Sequence, residues 1–197
     1  MIHPSRRDAL AGAVALAATP VLAQAAAPRI LIQTALGDIT LELAADKAPV
    51  TAANFLRYVD AKRFDGASFY RALKLVPSPL AGLVQGGVLN DPAKSFPAIA
   101  HESTKATGLS HTDGAVSMAR YDPGTATSEF FICVGDLVSL NATAEDPGYA
   151  VFGRVIQGMD VVRKILLSPV SATGGEAALK GQMLEPPVKM ITARRAA

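Results

Sequence analysis

From residue 29 onward, apolar and polar side chains exchange places along the chain. Arg29-Ile-Leu-Ile-Gln-Thr34 and Asp38-Ile-Thr-Leu-Glu-Leu43 each carry the two-residue period of a strand buried on one face. Ala35-Leu-Gly-Asp38 between them has turn chemistry, so the two runs predict a β-hairpin. The period then lengthens. Pro49 opens a stretch with apolar side chains at Val50, Ala53, Phe55, Leu56 and Val59, and proline in a first turn with that spacing predicts an amphipathic helix. A second helix is expected from Asp160 through Leu166, with Asp160 as its N-cap. Strand-like runs recur at Ser68-Phe-Tyr-Arg-Ala-Leu73, Ala115-Val-Ser-Met-Ala119, residues 129–134, residues 150–156 and Pro187-Val-Lys-Met-Ile-Thr192. Many short strands, glycine turns and only two helices predict a mainly β domain, an antiparallel barrel or sandwich. Ser171-Ala-Thr-Gly-Gly175 and the Ala-Leu-Lys-Gly that follows read as surface loop.

The first 25 residues follow different rules. Arg6 and Arg7 precede an alanine-rich apolar run over residues 9–18, and Ala23-Gln-Ala25 follows as an Ala-x-Ala cleavage site. The apolar run is shorter than the ~20 residues of a membrane span. Residues 1–25 are therefore expected to be a cleavable export signal. Ser5-Arg-Arg-Asp-Ala-Leu10 looks like a twin-arginine signal, with Ala9 where that pattern usually has Phe. The expected mature unit is one domain over residues 26–197, periplasmic or otherwise exported, with no stable membrane insertion after cleavage.

Composition removes several function classes. Half of the 197 residues are apolar, 18% are charged and the formal net charge is +2, so neither a nucleic-acid footprint nor a disordered acidic tail is present. The lone cysteine, Cys133, lies in an apolar run and reads as a small buried hydrophobe. No phosphate-binding glycine motif stands at a strand–helix junction. Of the three histidines, His3 belongs to the leader, while His101 and His111 sit in a polar stretch without a partner at ligand spacing. Both are expected to be solvated loop residues, and neither a metal nor a cofactor is expected.

Five blocks stand in order: Ser68-Phe-Tyr-Arg71, Val84-Gln-Gly-Gly87, Gly114-Ala-Val-Ser-Met-Ala-Arg120, Ser128-Glu-Phe-Phe-Ile132 and Tyr149-Ala-Val-Phe-Gly-Arg-Val155. Any one is weak, but together, from about Ile30 to the end, the chain resembles the cyclophilins, in particular their bacterial exported branch. The resemblance implies a closed eight-stranded antiparallel β-barrel capped by two α-helices, with a peptide groove outside the packed barrel. It also implies cofactor-free peptidyl-prolyl cis–trans isomerisation, acting on proline-containing segments of exported proteins by a monomer.

Carried over position by position, Arg71 matches the family's catalytic arginine. Gln85 matches the glutamine that bonds the substrate backbone and orients that arginine. Leu83, Phe131 and Leu140 match the proline pocket, and Met118, Ala119 and Arg120 the segment beside the bound peptide. Glu129 and Tyr149 complete the implied substrate-binding set, while Phe69 is expected to pack beneath Arg71. Four departures are visible. The loop over residues 72–84 is long, Gly82 stands where a pocket phenylalanine is usual, and Ser139 replaces a tryptophan linked to cyclosporin binding. Glu129 replaces the usual glutamine, where a carboxylate could pair with Arg71 or favour basic substrates. The alternatives are a catalytically weak module that holds proline-containing peptides, and an unrelated exported barrel that binds a ligand.

Overall fold

The computed structural model describes residues 26–78 and 80–196, so the expected export signal lies outside the described residues. The chain forms eight strands: β1 (Arg29–Thr34), β2 (Gly37–Leu43), β3 (Ser68–Lys74), β4 (Gly82–Gly87), β5 (Ala115–Met118), β6 (Phe130–Val134), β7 (Ala150–Gln157) and β8 (Met183–Arg195). They close into a barrel in the order β1-β2-β7-β5-β6-β4-β3-β8, and every neighbouring pair is antiparallel. Closure leaves no free sheet edge.

Helix α1 (Pro49–Asp60) brings Phe55 and Tyr58, and α3 (Met159–Leu167) brings Val162, Ile165 and Leu166, into the same core as the inward strand residues. Phe55 sits 5.1–5.2 Å, centroid to centroid, from Phe64, Phe130 and Phe152. The helices thus cap a filled barrel, as expected. A third helix, α2 (Thr104–Thr107), is a single turn capped by Ser103 and ended by Gly108. Asp160 is not the N-cap of α3; Gly158 occupies that position at φ 89°, and Asp160 lies in the first turn bonded to Lys164. There its charge still favours the positive end of the helix dipole. Strand β4 escaped the alternation pattern because three of its six residues are glycine.

Alternation divides the apolar residues between two clusters. On β6, Phe130 and Ile132 point into the barrel, while Phe131 and Cys133 point out. The outward cluster of Leu83, Ala115, Phe131, Cys133, Leu137 and Val151 is itself buried, with Leu73, Ala119, Leu140 and Tyr149 packed on it. A second small core therefore lies outside the sheet, and it is the floor of the candidate site. Burial raises the Cys133 thiol to about 12, which leaves it an inert hydrophobe.

Candidate active site

Register places the chemistry. In β3 against β4, Phe69 pairs with Gly86 but Arg71 pairs with Gln85, so Tyr70 is an extra residue at a bulge. Phe69 enters the core, Tyr70 is also buried, and Arg71 emerges on the outer face beside Gln85. The β8 side breaks register at the same place. Phe69 pairs with Val188 and Arg71 with Met183, the intervening stretch holding Pro186 and Pro187, which cannot donate to a ladder. This break carries Gln182 alongside: the Ala72 N–H donates to the Gln182 carbonyl at 2.9 Å.

Two amides hold the Arg71 guanidinium. Its Nη1 donates to Gln85 Oε1 and its Nε to Gln182 Oε1, both at 2.8 Å. Gln182 Nε2 in turn donates to the Ala178 carbonyl, which fixes that amide's orientation. Nη2 has no hydrogen-bond partner among the described residues. Burial draws the guanidinium below its ordinary value, but that value lies so far above neutrality that the group stays charged at neutral pH.

Arg71 and Gln85 stand at one side of a cleft of about 270 Å³. Leu73, Leu83, Phe131 and Leu140 make it apolar, and Ala119, Arg120, Tyr121, Tyr149 and Leu179 complete the wall. Arg120 is braced rather than free. Its Nε and Nη2 donate to the Gly148 carbonyl, its Nη1 donates to the Tyr121 carbonyl, and the guanidinium lies 4.9 Å from the Tyr149 ring centroid. The Ala119 N–H is already given to the Glu129 carbonyl, leaving its own carbonyl to meet a peptide. A larger cleft of about 370 Å³ lies elsewhere on the barrel, near Glu42, Leu109 and Arg154, and none of the expected site residues lines it.

Eight of the ten residues expected from the sequence thus meet at one cleft, and two do not. Met118 is 1% exposed inside the barrel, so its side chain cannot touch a groove ligand. Glu129 is 5% exposed beneath the floor, where it accepts from Tyr70, Ser128 and the Asn90 N–H. It neither pairs with Arg71 nor offers charge to a basic substrate. Gln85 and Tyr70 stand between the two.

Other residues were missed. Leu179 lies in the stretch read as plain surface loop and Gln182 directly follows it; they supply one wall of the cleft and one clamp on Arg71. Gly82 cannot carry the pocket phenylalanine on this backbone. At φ 153° a Cβ there would stand 1.9 Å from the Leu73 carbonyl oxygen.

His111 is likewise not a solvated loop residue. It is fully buried, stacked on Phe131 with ring centroids 5.8 Å apart. Its Nδ1 lies 2.7 Å from Asn141 Oδ1 and its Nε2 lies 3.0 Å from Ser117 Oγ. Asn141 Oδ1 can only accept, so Nδ1 carries the proton and Nε2 accepts from the serine. Burial holds the imidazole pKa below its ordinary value, against the opposing effect of the hydrogen bond it donates to Asn141. The folded state therefore resists protonation. Stability from this group is complete above the unfolded value of ~6.5 and is lost as pH falls from there through the folded pKa. Denaturant titrations should show stability declining below pH ~6.5, before the carboxylates titrate, and the decline should be absent in His111→Gln.

The site is thus an apolar slot outside a closed barrel, with the held guanidinium groups of Arg71 and Arg120 in its wall. The chain belongs to the cyclophilin family: the model described as cyclophilin type peptidyl-prolyl cis-trans isomerase/CLD matches residues 29–194. It is an enzyme of that kind, a peptidyl-prolyl cis–trans isomerase. It is 41% identical over 163 residues to a peptidyl-prolyl cis-trans isomerase of Acinetobacter baylyi, covering 82% of this chain and 81% of the relative. It is 37% identical over 151 residues to peptidyl-prolyl cis-trans isomerase A of Dickeya dadantii, covering 75% of each. The fold matches a solved Cryptosporidium parvum cyclophilin, crystallised in the presence of the dipeptide Ala-Pro, with TM-score 0.69 and 21% identity over 86% of this chain and 99% of that one.

Proposed function

We propose that the cleft grips Xaa–Pro segments of exported polypeptides, that Arg71 catalyses their rotation, and that the chain works outside the cytoplasm after loss of residues 1–25. The observation that carries this reading is the doubly clamped guanidinium, its Nη2 without a partner among the described residues, at the edge of an apolar slot.

Resonance stiffens the peptide bond and gives rotation a barrier of ~18–20 kcal/mol. Halfway through, the amide resonance is gone and the prolyl nitrogen carries a lone pair that neither planar isomer has. A proline ring seated against Leu83, Phe131 and Leu140 holds one end of the bond while the preceding carbonyl swings. Arg71 donates to the nitrogen only when its lone pair exists, so its bond favours the twisted form over both ground states. Gln85 and Gln182 keep the fork still, so little reorganisation accompanies that bond. No covalent step occurs and no proton need leave the enzyme.

Localisation rests on the leader's basic, apolar and Ala-x-Ala order. The test joins both parts. N-terminal sequencing of the exported form should begin at Ala26, and that form should speed the slow proline-limited refolding phase of an exported client. An intact Met1 in the cytoplasmic fraction would refute the export. An unaltered slow phase would refute the client reading.

A further inference from the structure

From the cleft wall inward runs a chain of polar groups, half-buried at Arg71 and Gln85 and buried at Tyr70 and Glu129, in which every hydrogen bond points the same way. Arg71 has only donors, so Gln85 must turn Oε1 toward it. The Gln85 amide nitrogen then faces Tyr70 and donates to the phenol oxygen at 2.8 Å. That leaves the Tyr70 proton only one direction, toward Glu129 Oε2. Burial and the neighbouring carboxylate push the Tyr70 pKa far above its ordinary value, so the phenol keeps the proton. Glu129 ends the chain because three donors converge on it: the Tyr70 hydroxyl, the Ser128 hydroxyl at 2.9 Å and the Asn90 N–H at 3.1 Å. Room for its carboxylate exists because residue 87 is glycine.

We infer that Tyr70 and Glu129 are positioning residues, which set the orientation of the Gln85 amide and through it the aim of the Arg71 guanidinium. The inference rests on Arg71 being the catalytic group. An amide at position 129 would face a conflict. With its nitrogen toward Tyr70, the phenol proton turns to Gln85, whose amide must then flip and set N–H against the guanidinium. With its nitrogen away from Tyr70, it meets the Asn90 N–H. Only an acceptor on both oxygens lets the whole chain run toward position 129.

The polarity can be reversed on purpose. Gln85→Glu brings a better partner to Arg71 by charge alone, yet leaves the Tyr70 oxygen without its donor and gives two carboxylates one phenol proton. Its kcat/KM should fall about tenfold or more, the cost of a charge-assisted hydrogen bond. Adding Glu129→Gln repairs every bond. The new amide nitrogen at position 129 donates to Tyr70, its oxygen keeps Ser128 and Asn90, and the phenol donates to the new carboxylate at position 85. The double variant should therefore be about fivefold or more faster than Gln85→Glu alone.

Full activity in Gln85→Glu, or a double variant no faster than that single, would overturn the inference. Arg71→Ala is assayed beside them. If it keeps wild-type activity the catalytic reading itself fails, a different outcome from failure of the polarity swap. Should Gln85→Glu not fold, Tyr70→Phe replaces it. A folded Tyr70→Phe should lose kcat by about tenfold at unchanged peptide Kd, and an unchanged kcat would count against the inference.

Discussion

Arg71→Ala should lower kcat/KM for an Xaa–Pro peptide by about 10²- to 10³-fold, the usual cost of deleting one preorganised donor from a transition-state site. Peptide affinity should change far less. The apolar floor of Leu83, Phe131 and Leu140 is untouched, and the planar isomers give the guanidinium no lone pair to meet. Arg71→Lys should recover little of the loss. Arg71 is held through two different nitrogens, Nη1 on Gln85 and Nε on Gln182, and a lysine offers a single point charge that cannot span both while leaving a donor for substrate. Steady-state kinetics and a binding titration together check the split. A variant that lost affinity and turnover in parallel would make Arg71 a binding residue instead.

The largest effect on stability is expected from Gly87→Ala. Gly87 sits at φ 152°, and a Cβ there would lie 2.5–2.6 Å from the Glu129 carboxylate. The substituted backbone is strained, and the carboxylate must leave at least one of its three buried donors. Left-handed strain of ~1–2 kcal/mol and an unsatisfied buried group at ~1–3 kcal/mol give a total of about 2–5 kcal/mol. Chemical denaturation would measure it, and a change under about 1 kcal/mol would mean that the pocket for Glu129 is less rigid than drawn. Activity should fall too, because the same carboxylate anchors Tyr70.

These residues also show which features could be read from the sequence. Strands whose alternation is carried by side chains, such as β1 and β2, and the continuous apolar run of β6 were visible with their boundaries nearly right. Strand β4 was not, because glycine carries no apolar or polar signal, although the Gln-Gly-Gly motif inside it was. Arg71, Gln85 and the apolar floor were legible as a family pattern, and the fold brings them to one cleft. Glu129 and Met118 were placed in the groove because a pattern names positions and does not say which side of a sheet each faces. The alternation on β6 could have settled Glu129 only with the register against β5 and the bulge at Tyr70 in hand.

His111, Gln182 and Leu179 were invisible for another reason. Each gains its role through a contact far along the chain: His111 through Asn141, thirty residues away, and Gln182 through Arg71, one hundred and eleven residues away. Neither carries a local motif. The glycines at 174, 175 and 181 marked the segment before β8 as a loop correctly, but only closure of the barrel brings that loop against Arg71.

The most direct test of the central claim, that this cleft favours the twisted peptide bond over both planar forms, is two-dimensional exchange NMR on a short Xaa–Pro peptide. The protein would be the chain from Ala26 onward, at concentrations that saturate the peptide. Uncatalysed exchange takes tens to hundreds of seconds, so the free peptide gives no cross-peaks at mixing times of about 0.1 s. With the protein present, cis–trans cross-peaks should grow within that time, with the two isomers bound at comparable affinity. Peptide shifts that report binding while the cross-peaks stay absent would contradict the claim and leave a groove that holds proline without turning it.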